Sequence, residues 1–171
     1  VDVGMMREEY EKFLKVCNDE LSQEYFLQTF ESDRSYAYSF AKLRLNGTQY
    51  PEMRDKDVLD HTGIFIDIFP FDYAPNNHLF RRIHRFKIRS LNLMCQIKFN
   101  YAIKPYTLKG RVFFLLSKVF SKTQIIKMRE YLIQIYNRKH TDFYINSSFY
   151  YYPAEIFEQF SELEFEGIKF P

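Results

Sequence analysis

Hydrophobic and polar positions alternate most clearly between Thr62 and Asp72. Ile64, Ile66 and Ile68 fall on one side of a period-two pattern, and Phe65, Asp67 and Phe69 on the other. This predicts a short buried strand that Gly63 opens and whose ladder ends at Pro70, which has no N–H to donate. Val1-Asp2-Val3 shows the same alternation and predicts the end of a second strand, with Gly4 permitting a turn after it. From Arg7 to about Leu21 the period changes to that of a helix, with Tyr10, Phe13, Leu14, Cys17 and Leu21 on one stripe. Glu8, Glu9 and Glu11 suit the positive end of its dipole. Tyr25–Phe30 and Tyr36–Leu45 are strand candidates. Asn46-Gly47 is a hairpin signal, with Thr48–Tyr50 as the return strand. The polar stretch from Pro51 to His61 reads as a loop or a short helix.

Leu79 begins a second helical region, in which Leu79, Ile83, Phe86, Leu91, Met94 and Cys95 fit one face and several arginines crowd elsewhere. Pro105 and Gly110 interrupt it, and Val112–Phe120 and Thr123–Arg138 continue it. Phe143–Asn146 returns to a strand pattern, and Tyr150 to Pro153 reads as an aromatic loop. Pro153 suits the first turn of a short helix through Phe160. Leu163–Phe165 and Ile168–Phe170, joined by Glu166-Gly167, predict a final hairpin. The expected fold class is α+β: a mixed sheet with flanking helices, in one domain over residues 1–171, with a helical insertion at about 78–140.

Composition adds a core rich in aromatic rings, since the 171 residues include fourteen Tyr and nineteen Phe but no Trp. Such a chain buries a sizeable core and is not disordered. The two cysteines, Cys17 and Cys95, lie inside apolar helical patterns and read as core thiols in a reducing compartment. The net charge of +2 conceals a division. From His78 to His140 there are fifteen Lys or Arg and one acid, Glu130, which leaves nine bases and twenty-one acids for the remainder. That block could hold the protein against an anionic membrane surface or an anionic acceptor polymer, or it could be an ordinary solvated face. It contains no recognisable nucleic-acid module, and no nucleic acid is expected as a partner. No signal peptide is visible, and Val112–Phe120 is too short to cross a bilayer. The expected location is cytoplasmic, with peripheral contact at the inner face of the membrane. The chain opens and closes in strand-like sequence, so it is expected to be a piece of a longer protein.

Asp67 is the chemical anomaly. A carboxylate between two phenylalanines costs several kcal/mol to leave charged and unpaired, so it must be protonated, paired with a base or facing a metal. Asp2 raises the same question. Lys42 and Arg44, two apart on a candidate strand, face one way and suit either a phosphate or cytidine contact or a solvated face. Asp72 reads as a turn residue, and Asp60 and His61 as loop polarity. The four histidines show no ligand spacing.

Four blocks carry a resemblance to a known family: Asp2–Leu14, Phe40–Arg44 with Asn46-Gly47-Thr48, Gly63–Pro70 and Glu164–Pro171. Together and in this order they resemble the LicD family of phosphotransferases, related to the fukutin group. The resemblance implies a nucleotidyltransferase-type fold. It also implies transfer of a phospho-alcohol, phosphocholine from CDP-choline above all, onto a cell-surface glycan such as teichoic acid or lipopolysaccharide. CDP-ribitol or another nucleotide donor keeps the same chemistry. In that family an Asp-x-Asp pair on one strand and a third carboxylate on a neighbouring strand bind Mg²⁺ (or Mn²⁺). Asp2 matches the second member of the pair and Asp67 the third carboxylate, as metal ligands and catalytic groups, while the first member would precede Val1. The 171-residue stretch alone is therefore expected to be inactive or nearly so. A non-catalytic domain of the same fold, binding glycan or a membrane surface, is the alternative.

Overall fold

The computed structural model describes residues 2–50, 61–101, 108–158 and 161–170. The expectations placed on 51–60, Asp60 among them, and on Pro105 lie outside those residues. The Thr62–Asp72 pattern forms a strand, β4 (Phe65–Ala74), but Pro70 does not end it. The reason is a change of neighbour. Asp67 and Ile68 pair both with β1 (Asp2–Met6), in parallel, and with β3 (Ala41–Leu45), antiparallel. Phe71 pairs both with β1 and with β5 (Phe143–Asn146). So β1 follows one edge of β4, while β3 and β5 succeed each other along the other edge. Phe69 and Pro70 fall at the seam, where no antiparallel rung is due and a missing N–H is tolerated. β2 (Tyr25–Gln28) lies outside β3, and β6 (Tyr151–Pro153) outside β5, which completes a mixed six-stranded sheet. The class is α+β.

Paired residues share a face of a sheet, so the register sorts the side chains. Leu27, Ala41, Ile68, Ala74 and Ile145 share the face that the helices cover. Helix α1 (Arg7–Glu20) lays Tyr10 and Cys17 on Leu27, Ala41 and Ile68, with Phe13, Leu14 and Leu21 around them, as the predicted stripe requires. Helices α2 (His78–Lys98) and α4 (Lys122–Gln134) bring Ile88 and Ile133 onto Ala74 and Ile145. A third cluster, including Leu91, Met94, Cys95, Ile125 and Ile126, ties these two helices to each other. Each buried Leu, Ile or Met side chain among these contributes about 1.5–3 kcal/mol relative to exposure. Helix α3 (Leu108–Val119) packs beside α2.

Several local expectations change. Gly4 lies inside β1 rather than in a turn, and Gly110 lies inside α3 rather than breaking it. Ile64 and Ile66 stay exposed, so only Ile68 of that row reaches the core. On α2, Leu79, Ile83 and Phe86 are exposed; the buried stripe there is His84, Ile88, Leu91, Met94 and Cys95. Thr48–Tyr50 forms no strand, because β2 and β4 already occupy both edges of β3. That segment is tied to the chain before β4 by single bonds, such as Tyr50 N to the Thr62 carbonyl. Residues 36–40 are irregular, so β3 is shorter than its pattern. The expected aromatic loop contains β6, and Pro153 precedes a single 3-10 turn, Ala154–Phe157. The closing hairpin forms as expected, β7 (Leu163–Phe165) with β8 (Ile168–Phe170), turned by Glu166 and Gly167 at positive φ.

Candidate active site

The sheet face away from the helix clusters carries one continuous polar row. Asp2 on β1 is in register with Asp67 on β4, Asp67 with Lys42 on β3, and Lys42 with Gln28 on β2. Period-two geometry therefore puts all four side chains on the same face, in neighbouring strands about 4.8 Å apart. Access rises along the row: Gln28 and Lys42 are buried, Asp67 is partly open and Asp2 is exposed. The open end is thus the pair of carboxylates.

Of the outcomes open to Asp67, pairing with a base is the one seen. Its Oδ1 lies 2.9 Å from Lys42 Nζ. Lys42 is 2% exposed, and its ammonium sits 3.4 Å from the centroid of the Phe65 ring and 5.7 Å from that of Phe40. Ring faces attract a desolvated cation by up to about 2 kcal/mol, which offsets part of the cost of burying Lys42. Arg44, in the next row on the same face, is as buried as Lys42. Its Nε donates to Gln28 Oε1 at 2.5 Å and its Nη1 to the Gly63 carbonyl at 2.7 Å. Gln28 Nε2 in turn donates to Asp33 Oδ2 at 2.6 Å. A solvated strand face is therefore excluded for both Lys42 and Arg44. Lys42 acts on Asp67 directly, and Arg44 ties β2, β3 and the start of β4 together beneath it.

Tyr36, Gln28 and Asp33 were not found by sequence reasoning, because nothing in their spacing marks them. Tyr36 is fully buried, and its hydroxyl has no hydrogen-bond partner among the described residues. Burial pushes its pKa well up, and the charge of Asp67 adds to that. A buried hydroxyl left without a partner costs about 1–3 kcal/mol.

The donor set suits a hard divalent cation shared with a ligand. Mg²⁺ takes oxygen ligands and is commonly held by one or two carboxylates plus water and substrate phosphates, which Asp2 and Asp67 at the open end of the row can supply. Among the described residues no group of three His, Cys, Asp or Glu side chains could cage a metal alone. Two carboxylates from adjacent strands fit an ion completed by phosphate oxygens.

Asp72 is neither a turn residue nor a third ligand. It lies in β4 on the opposite face, buried, and accepts two bonds from Arg7, at 2.8 and 2.6 Å, and one from Asn137 Nδ2 at 2.6 Å. This network locks the first residue of α1 to β4. His61 is also structural: it stacks on Phe26 at 4.8 Å and bonds Asn46 Oδ1 at 2.8 Å. Past the end of β1, at the edge of β4, a pocket of about 610 Å³ opens between Arg7, Glu8 and Glu11 on one side and Phe71, Tyr73, Tyr144, Asn137 and His140 on the other. Gly4 permits the approach of Phe71, whose Cε2 would lie 2.5 Å from any Cβ at that position. The Phe71 ring therefore lies against β1 between the carboxylate pair and the pocket.

No protein-family model, no curated protein and no solved structure matches this chain.

Proposed function

We propose that this chain carries the site of a LicD-type, metal-dependent phosphotransferase that moves phosphocholine from CDP-choline to a hydroxyl of a cell-surface glycan. The single observation that carries this reading is the in-register placement of Asp2 and Asp67 at the solvent-open end of a polar row, with Lys42 behind them. When bound there, Mg²⁺ would neutralise the donor diphosphate and the charge that develops on departing CMP. The chain's own groups have distinct tasks. Asp2 and Asp67 would hold the cation and, with it, orient the donor diphosphate. Lys42 fixes the Asp67 carboxylate and lowers the mutual repulsion of two neighbouring acids. Arg44, through Gln28 and Gly63, keeps β2, β3 and the entry to β4 rigid, which protects a geometry where small displacements are costly. In the transfer, the acceptor oxygen forms a bond to phosphorus as the bond from phosphorus to the CMP oxygen breaks. The acceptor proton passes to one of the two carboxylates. The pocket at the edge of β4, where Glu8 and Glu11 meet the rings of Phe71, Tyr73 and Tyr144 beside Arg7, is the candidate place for the alcohol part of the donor.

One observation favours the second reading, a non-catalytic domain of the same fold. The Lys42 ammonium already neutralises Asp67 without any metal. Calorimetric titration of CDP-choline into the chain, with and without Mg²⁺ or Mn²⁺, separates the two. The transferase reading expects metal-dependent binding that Asp67→Asn abolishes. Binding that is the same with and without metal, and that Asp67→Asn leaves unchanged, supports the non-catalytic domain.

A further inference from the structure

Helix α3 packs Phe113 against the cluster between α2 and α4 and leaves a second apolar stripe facing outward. Its buried positions include Gly110 and Ser117, two small residues seven apart. Its outward stripe is Leu108, Val112, Leu115 and Val119, at spacings of four, three and four, and these are 81%, 48%, 63% and 73% exposed. Arg111 and Lys118, both exposed, flank the stripe. Small residues inward let α3 lie close to α2, and the large apolar side chains are left facing water. Among the described residues nothing covers them.

The neighbouring surface of α2 continues the theme. Arg82, Arg85 and Arg89 surround a pocket of about 280 Å³ with Phe86 and Phe113. Phe86 is exposed, and Arg85 Nε is buried without a hydrogen-bond partner among the described residues. An apolar stripe bordered by cations, next to an arginine-lined recess, suits a surface that is hydrocarbon a few ångströms down and anionic at the top. We propose that α3 and the adjoining side of α2 form a docking face for an anionic phospholipid bilayer, with Leu115 and Val119 entering the interface and the arginines meeting lipid phosphates. Among the described residues no helix is long and apolar enough to cross a membrane, so the contact is peripheral. Charge decides against a second copy of the chain pairing stripe to stripe. Pairing two α3 stripes would press Arg111 and Lys118 of one copy toward the same cations of the other. The 78–140 block has only one acid, Glu130, to offset them. This inference is independent of the transferase reading, since it needs neither metal nor nucleotide.

The chain contains no Trp, so Leu115→Trp places a single reporter on the stripe and Val16→Trp, on exposed α1, provides a control. Vesicles of phosphatidylcholine alone, and of phosphatidylcholine with phosphatidylglycerol, are the probes. We expect a blue shift at position 115, and not at 16, with anionic vesicles only, reversed by high salt. Co-sedimentation of the unsubstituted chain should follow the same order. Leu115→Asp/Val119→Asp should lower partitioning at least about tenfold, with an unchanged far-ultraviolet spectrum. Arg111→Gln/Lys118→Gln should lower it about tenfold or more at low salt. Equal binding to both vesicle types, or partitioning unaffected by the Asp pair, would overturn the proposal. So would a blue shift produced by soluble glycerophosphate alone, or a dimer that the Asp pair breaks while vesicles are ignored.

Discussion

At the scale of single residues, Asp67 has to satisfy two demands. Its charge must be compensated in the free protein, and on the proposed function it must also remain available to a ligand. Lys42 meets the first demand from beneath, while the side toward Asp2 stays open. The pair is largely desolvated, so removing one member leaves an uncompensated charge beside Phe65 and Phe40. Asp67→Ala should therefore cost about 3 kcal/mol in urea unfolding, the low end for a broken buried pair because Asp67 is partly open. Adding Lys42→Met should recover most of that loss. If the double variant is no more stable than the single one, the pair is not what holds this corner. The anomaly of Asp67 was legible from period-two spacing alone, as was the shared face of Lys42 and Arg44. Their burial was not, because the rings that cover Lys42 come from β4 and from the irregular residue before β3. The contacts of Asp72 were equally hidden: Arg7 and Asn137 each lie sixty-five residues away in sequence.

At the scale of elements, β1 is an edge strand whose side chains must leave room for a neighbour. Gly4 is the position where that matters. A methyl group there would overlap the Phe71 ring, and overpacking of this kind typically costs about 1–3 kcal/mol. Gly4→Ala should lower thermal stability, and Phe71→Leu in the same chain should restore part of it. A Gly4→Ala protein as stable as the parent would mean that the ring simply turns aside. The sequence suggested a turn at Gly4 because glycine marks turns more often than close ring approaches. It suggested a strand end at Pro70 because spacing cannot show a change of ladder partner. On α3 the helical period was readable but its inward side was not. Periodicity finds the apolar stripe, and the pattern normally turns it toward the core, whereas Gly110 and Ser117 take that place.

At the scale of the whole molecule, His84 joins three elements. It is buried in α2, its Nε2 lies 2.7 Å from the Leu132 carbonyl of α4, and its Nδ1 lies 3.1 Å from the Tyr151 hydroxyl of β6. Burial lowers its pKa below the ordinary 6.5 despite the opposing pull of the Leu132 carbonyl and Asp72. As pH falls through that value the unfolded chain takes a proton that the folded chain refuses. Stability is therefore lost on acidification from about pH 6.5 down to the folded-state pKa, by at most about 1.4 kcal/mol per pH unit. Urea midpoints at pH 7.5 and 5.5 should converge for His84→Gln relative to the parent. Parallel curves for the two proteins would place the acid sensitivity elsewhere. The seam at Phe69–Pro70 sets how the halves of the sheet relate. Strands β2 and β3, which bear Gln28, Lys42 and Arg44, hang from the first half of β4, and β5 and β6 from the second. Among the described residues no rung joins the two wings directly. If the proposed function holds, the grip on a diphosphate would tighten by a small pivot of β2 and β3 about β4, with every ladder intact and with its extent limited by Arg129 of α4, which bonds the Ala37 carbonyl just before β3.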